Sequence, residues 1–265
     1  MLFVGIDLAW SNNNTSGIAV IEGNKRAGNP ISSAIVLSNE EIINYVNKYV
    51  QDKNALIAID APLIVPNLEG RRIAEEITGK LFRKYDAGAH PANRKRLSSF
   101  TGSIRGEEIS RELEKNNFIH SPFLKKFEES RKFFEVYPHP SMVVLFKLNK
   151  ILQYKAKPKR DYKFRYEAFK NYIKYLKNLK NKKPKLIIPE ELFKKDISKM
   201  KGQKLKNYED RLDAIFCSYI AYYSWVFPEN CAVLGNIKQG HILTSVTNYM
   251  KRQLKNMKKE KQKTL

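Results

Sequence analysis

The sequence predicts an α/β fold in which helices cover both faces of a mixed β-sheet. An apolar run at residues 2–6 is followed by two more strand-like runs across polar turns, which is typical of an antiparallel meander. A helical pattern then precedes another apolar run at residues 55–59, and the order strand, helix, strand indicates a parallel pairing. Residues 206–227 carry the clearest helical apolar stripe.

Four strands and one helix are expected in the first sixty residues. Ser38 is predicted to cap the helix, with Glu41 completing a capping box, and the helix is expected to end near Val50. The apolar runs predict strands at 2–6, 18–21, 31–37 and 55–59.

The rest of the chain is predicted to complete one domain over residues 1–250. Residues 66–131 have weak periodicity and predict a mostly helical insertion on the sheet. Residues 251–265 are rich in lysine and predict a frayed basic tail. The remaining patterns predict helices at 141–148, 159–182, 192–197 and 206–227 and strands at 133–137, 232–234 and 241–246.

The charge of the chain indicates a class of partner. Its 265 residues include 49 Lys and Arg against 27 Asp and Glu, a formal net charge of +22. Such a surface attracts polyanions, of which nucleic acid is the commonest, although lysine-rich helices can also be simple solvated faces. Two cysteines without metal-ligand spacing favour a reducing, cytoplasmic location. We recognise neither a signal peptide nor a membrane span.

Acidic residues follow two of the predicted buried strands. Asp7 ends the first strand and Asp60 follows the strand at residues 55–59. In sheets with parallel strands, ligands gather at the carboxyl ends of those strands, so this placement predicts a site. The alternative is that each aspartate caps a turn through local hydrogen bonds.

Three more carboxylates are candidates for the same site. Asp210 and Asp213 are three residues apart on one helix and therefore share a face, and the small residues Ala214 and Cys217 would let that helix approach the sheet. Glu135 lies in a strand among aromatic residues. The alternatives are an exposed, ion-paired helix position for Asp210, an exposed helix position for Asp213 and a solvent-facing position for Glu135.

A cluster of oxygen ligands suits Mg²⁺ or Mn²⁺. Two such ions can clamp the attacking and leaving oxygens of a phosphodiester displacement. The sequence therefore predicts a metal-dependent nuclease acting on DNA or RNA, with Asp7, Asp60, Glu135 and Asp213 as catalytic residues and Asp210 as a further metal ligand.

The acidic residues stand in four short motifs: Gly5-Ile6-Asp7, Ala58-Ile59-Asp60-Ala61-Pro62, Glu135-Val136-Tyr137-Pro138-His139-Pro140 and Asp210-Arg211-Leu212-Asp213-Ala214. In their order and spacing these motifs resemble the DUF429 family of predicted ribonuclease H-like nucleases, which are related in fold to the Holliday-junction resolvases (RuvC-like). The resemblance spans roughly residues 1–235. It implies a ribonuclease H-like fold and acidic metal ligands at Asp7, Asp60, Glu135 and Asp213, with Asp210 as a further candidate.

Two other functions stay open on the sequence. A sugar- or acetate-kinase-like phosphotransferase would share the core fold, with the polar turn at residues 10–17 cradling phosphate. A non-catalytic nucleic-acid binder would retain the fold and bind in a salt-sensitive way. The sequence leaves the oligomeric state open, with a homodimer among the options.

Overall fold

The computed structural model describes residues 1–99 and 102–263, and it has nine strands within these ranges. Seven of them form one sheet in the order β5-β6-β4-β1-β2-β3-β7, and β8 and β9 form a separate hairpin. The strands are β1 (Leu2–Asp7), β2 (Ser16–Gly23), β3 (Ala27–Val36), β4 (Ala55–Ile59), β5 (Ile119–His120), β6 (Arg131–Glu135), β7 (Lys185–Leu186), β8 (Cys231–Asn236) and β9 (Gly240–Ser245).

The large sheet is mixed, as predicted. The first three strands form an antiparallel meander, and β4, β6 and β5 continue from β1 in parallel. The α-helices within the described ranges are α1 (Asn39–Val50), α2 (Ile73–Phe82), α3 (Arg94–Ser98), α4 (Arg105–Lys115), α5 (Pro138–Leu145), α6 (Tyr162–Lys177), α7 (Gly202–Val226) and α8 (Asn248–Lys263).

Successive side chains of each strand point to opposite faces of the sheet, so the core has two layers. Leu2, Val4 and Ile6 of β1 pack with α1 and α4 on one face of the sheet. Phe3 packs on the other face with α7 and with parts of α2, α5 and α6. Since successive side chains of a strand point to opposite faces, this alternation decides which strand-end residues face α7.

Several boundaries differ from the sequence-based predictions. Helix α5 begins at Pro138, three residues before the predicted start, because proline is favoured in the first helical turn. The helix expected at 192–197 is replaced by two short 3₁₀ turns, Glu190–Phe193 and Ile197–Lys199. Ser38 caps α1 as predicted, but Glu41 accepts a hydrogen bond from Leu37 N–H rather than from Ser38.

The frayed tail predicted for residues 251–265 is helical as far as residue 263. Met250, within α8, is buried, and Leu254 and Met257 pack against the core. A few apolar residues at helical spacing thus suffice to dock a lysine-rich segment. Residues 264 and 265 lie outside the described part of the chain. None of the described helices combines the length and the apolar character that crossing a membrane requires.

Two glycines let α7 lie directly on the sheet. A Cβ built on Gly5 would lie 2.1 Å from the carbonyl oxygen of Ala214, and one on Gly17 would lie 2.0 Å from that of Asp210. Both obstacles are backbone atoms of α7. The close approach therefore depends on glycine in the strands as well as on the small helix residue Ala214 predicted from the sequence.

We expect Gly5→Ala to destabilise the protein by about 3 kcal/mol, because the backbone of α7 must move to admit the new methyl group. Urea denaturation measures the free energy of unfolding. Gly88→Ala is the matched control, since the atoms nearest to a Cβ at Gly88 are 3.9 Å away. Equal stability of the two variants would contradict the close packing of α7 on β1.

Candidate functional site

Asp7 and Asp60 lie side by side at the carboxyl ends of two parallel strands. Ile6 of β1 and Ile59 of β4 are partners in the strand register, and Asp60 N–H donates to Ile6 O at 2.8 Å. Both aspartates are half-buried. Within the described residues, no group donates a hydrogen bond to the Asp60 carboxylate. The pair predicted from the sequence is therefore brought together, and the oxygens of Asp60 have no hydrogen-bond donor among the described residues.

Helix α7 brings Asp210 to this pair. Its Oδ1 forms an ion pair with Lys206 one helical turn earlier, while its Oδ2 is buried and has no hydrogen-bond partner among the described residues. Burial, followed by the nearby Asp7 carboxylate, raises the pKa of Asp210 to about 8. A buried carboxylate oxygen without a donor needs a proton or a cation.

Asp213 is also at the site, where one oxygen accepts a hydrogen bond and the other, which accepts none among the described residues, is ion-paired with a lysine. Tyr154 Oη donates to Oδ1 at 2.7 Å, and Lys155 Nζ lies 2.9 Å from Oδ2. Burial alone would raise the pKa of Asp213, but Lys155 and Tyr154 outweigh burial and lower it. Asp213 is thus an ionised carboxylate that anchors the segment carrying Tyr154 and Lys155.

Glu135 does not join the aspartates. It is the register partner of Ile59, so it shares the face of the sheet that points away from α7, whereas Asp60 follows one position later. Arg72 donates to both of its oxygens, at 2.6 and 2.9 Å, and Leu63 N–H donates at 3.0 Å. Arg72 also pairs with Glu75, which makes a buried triad behind Asp60.

The carboxyl groups of the site raise one another's pKa values. Burial raises the pKa of Asp7, and Asp213 adds to the effect. Burial followed by the charge of Asp7 raises the pKa of Asp60 well above its usual value. Lys155 opposes both shifts. Ionising all of these carboxyl groups therefore costs free energy, and a further positive charge would offset that cost.

The charged groups around the aspartates, counted apart from the Arg72 triad, do not balance. When all are ionised, five carboxylates face three cations, which leaves an excess of two negative charges. Glu209 bridges Arg165 at 3.4 Å and Lys206 at 3.3 Å and so belongs to the set. The carboxylates are Asp7, Asp60, Glu209, Asp210 and Asp213, and the cations are Lys155, Arg165 and Lys206.

Within residues 1–99 and 102–263, no three or more His, Cys, Asp or Glu side chains are arranged so that they could hold a metal ion. The ligand set expected from the sequence is thus not preassembled, because Lys155 and Lys206 are paired with Asp213 and Asp210. The site nevertheless offers carboxylate oxygens, which are the ligands that hard cations such as Mg²⁺ prefer. Its excess negative charge and the Asp210 Oδ2 without a hydrogen-bond partner also favour a cation.

Two cavities open beside the aspartates, and Trp10 contacts both. The larger, about 550 Å³, is lined by Asp7, Asp210, Lys206 and the polar β1–β2 loop. The smaller, about 80 Å³, lies between Asp60 and the Arg72 triad. The larger cavity opens to solvent at Asp7 and is also lined by the buried Asp210, as in a ligand-binding centre.

The four histidines lie near the site without joining the carboxylates. Burial lowers the pKa of His139 to about 3, and its ring lies between Tyr137 and Tyr154. His241 accepts a hydrogen bond from Glu135 N–H and lies beside His120. His90 lines the smaller cavity.

Sequence reasoning missed the cations of the site. The i,i+4 spacing of Lys206 and Asp210 could have indicated their pairing. Lys155 carries no such signal, because it lies in an irregular segment 58 residues before Asp213 in the chain. Arg72 carries no such signal either, because its partner Glu135 is 63 residues away.

The raised pKa of Asp210 predicts a pH dependence of stability. An unfolded aspartate titrates near 3.8, whereas the pKa of Asp210 is about 8, so the folded protein holds a proton that the unfolded chain releases. Without metal, stability should therefore fall between about pH 4 and pH 8. We expect Asp210→Asn to lessen this fall, measured by urea denaturation at pH 5 and pH 8 with EDTA. An unchanged fall in the variant would contradict the assignment.

Fold and site together define an α/β protein with an acidic centre at the carboxyl ends of parallel strands. A sequence model of DUF429, described as "Protein of unknown function", matches residues 5–235, which include all five predicted acidic residues. The chain belongs to the DUF429 family. A search of curated proteins finds no match to it.

Proposed function

We propose that this protein is a ribonuclease H-like, metal-dependent nuclease that hydrolyses phosphodiester bonds of DNA or RNA. The observation that carries the proposal is that Asp7 lies beside both Asp60 and Asp210 at an open cavity, where the carboxylates, once ionised, would outnumber the neighbouring cations. The strand order β3-β2-β1-β4-β6, with a meander followed by parallel strands, supports the ribonuclease H-like fold that the motifs imply.

In this proposal, Asp7, Asp60 and Asp210 hold Mg²⁺ or Mn²⁺. When bound, the ion would activate water and neutralise phosphate charge. Asp213 and Glu135 act as positioning residues. Asp213 is bound to Lys155 and Tyr154, and Glu135 is bound to Arg72. Hydrolysis adds water to phosphorus and breaks the bond to one sugar oxygen, leaving a phosphomonoester and an alcohol.

The net charge of +22 supports a polyanionic substrate. A basic side chain lies close to the site: the Arg96 guanidinium is 5.5 Å from the centre of the Trp10 ring, and Trp10 contacts both cavities. A cation over an aromatic ring beside a carboxylate centre would suit a nucleotide, whose phosphate and base need both kinds of contact.

The test is incubation of the purified protein with single- and double-stranded DNA and RNA in Mg²⁺, in Mn²⁺ and in EDTA. We expect new strand ends with either metal and none in EDTA. Substrates that stay intact in both metals, together with salt-sensitive binding, would refute the nuclease and favour the non-catalytic binder.

A further inference from the structure

Lys155 is a fixed cation at the edge of the acidic centre. Its ammonium group lies 2.9 Å from Asp213 Oδ2, and its side chain is 29% exposed whereas that of Asp213 is fully buried. Burial lowers the pKa of Lys155, but the negative charges of Asp213, Asp7 and Asp60 have a larger effect and raise that pKa well above its usual value. Lys155 is therefore charged, close to the carboxylates and reachable from solvent.

The segment that carries Lys155 is held rigidly by its neighbour. Tyr154 is fully buried and stacks on Tyr172 with ring centroids 4.7 Å apart. Its hydroxyl donates to Asp213, and its carbonyl accepts from Arg165 Nε at 2.9 Å. Because these contacts fix the backbone next to Lys155, the ammonium is preorganised, unlike that of an ordinary surface lysine.

The free carboxylate oxygens suffice for one ion. Asp213 Oδ1 accepts from Tyr154, and its Oδ2 accepts no hydrogen bond but is ion-paired with Lys155. Both oxygens of Glu135 are held by Arg72. Asp7, Asp60 and the orphaned oxygen of Asp210 remain. The excess of two negative charges matches one divalent cation, and a second would leave the buried centre positive before any phosphate arrives.

We propose that the site takes a single divalent cation and that Lys155 supplies the second positive charge, contacting a non-bridging oxygen of the scissile phosphate. This inference rests on the proposed nuclease function. It replaces the two-ion arrangement expected from the sequence with one ion and one ammonium group. Because an ammonium group has three N–H donors, Lys155 can contact the phosphate oxygen while it stays paired with Asp213.

The test counts Mn²⁺ bound per chain by electron paramagnetic resonance and isothermal titration calorimetry, and measures cleavage at saturating Mn²⁺. We expect one Mn²⁺ per wild-type chain. Lys155→Met should keep or strengthen Mn²⁺ binding, because it removes a competing charge, while kcat falls by about 10²-fold. Lys155→Arg, which keeps the charge, should recover part of that loss. Circular dichroism checks the fold of each variant.

Lys157→Met is the matched control, since it removes the same charge from an exposed side chain two residues away. It should leave both the Mn²⁺ count and kcat within about twofold of wild type. Two Mn²⁺ per wild-type chain, or full cleavage by a folded Lys155→Met protein, would overturn the role of Lys155 while leaving the nuclease proposal intact. Wild-type protein that binds no Mn²⁺ would instead refute the proposed function and this inference with it.

Discussion

Replacing Asp7 with asparagine should lower metal-dependent cleavage by about 10³-fold, a loss of roughly 4 kcal/mol of transition-state stabilisation. Asp7 lines the larger cavity and interacts with Asp210, Asp213 and the two lysines of the site. Asparagine keeps the size of the side chain but removes the charge that would hold the ion. We therefore also expect weaker Mn²⁺ binding, measured by calorimetry.

The same variant should be at least as stable as the wild type in EDTA. Asp7 raises the pKa values of Asp60 and Asp210, so its carboxylate contributes repulsion to the apo protein. Loss of activity without loss of stability separates a ligand from a structural residue. Asp52→Asn is the control, because Asp52 is exposed and lies away from the site. Undiminished metal-dependent cleavage by Asp7→Asn would remove Asp7 from the centre of the site.

Replacing Arg72 with methionine should destabilise the protein by about 3–5 kcal/mol, the largest effect on stability that we expect. The guanidinium group is buried and donates to Glu75, to Glu135 and to Ile64 O. Burial opposes its charge, but Glu135 and Glu75 outweigh burial and raise its pKa. Without Arg72, two buried carboxylates would be left without their cation.

Arg71→Met provides a matched control, since Arg71 is the exposed neighbour of Arg72 and carries the same charge. Its free energy of unfolding should stay within about 0.5 kcal/mol of wild type. Adding Glu135→Gln to Arg72→Met should recover part of the stability, because one of the unpaired charges is removed. Urea denaturation of the four proteins distinguishes a buried triad from a surface ion pair, for which Arg72→Met and Arg71→Met would behave alike.

The strand-end aspartates could be predicted because local patterns determine them. An apolar run followed by an acidic residue places that residue at the end of a strand. Parallel pairing of two such strands brings their ends together, as Asp7 and Asp60 show. The approach of α7 could be inferred from Ala214 and Cys217. The glycines that complete it were not recognised, because a glycine in a strand does not reveal which neighbour approaches it.

The partners of the carboxylates could not be predicted, because they depend on long-range packing. Lys155 and Tyr154 reach Asp213 from a segment without periodicity, and Arg72 reaches Glu135 across 63 residues. The alternation of Phe134, Glu135 and Val136 does indicate that Glu135 faces away from its two neighbours. Deciding that Asp60 shares the face of Val136 required the strand register, which only the structure supplies.

A crystal structure of the protein soaked in Mn²⁺, with anomalous diffraction locating the ion, tests the central claim most directly. We predict one anomalous peak bound by the carboxylates of Asp7 and Asp60, with Asp210 Oδ2 completing the protein ligands. Lys155 should remain paired with Asp213 in the absence of nucleic acid. An ion bound elsewhere, or no peak at these aspartates in saturating Mn²⁺, would contradict a divalent-metal centre at the ends of β1 and β4.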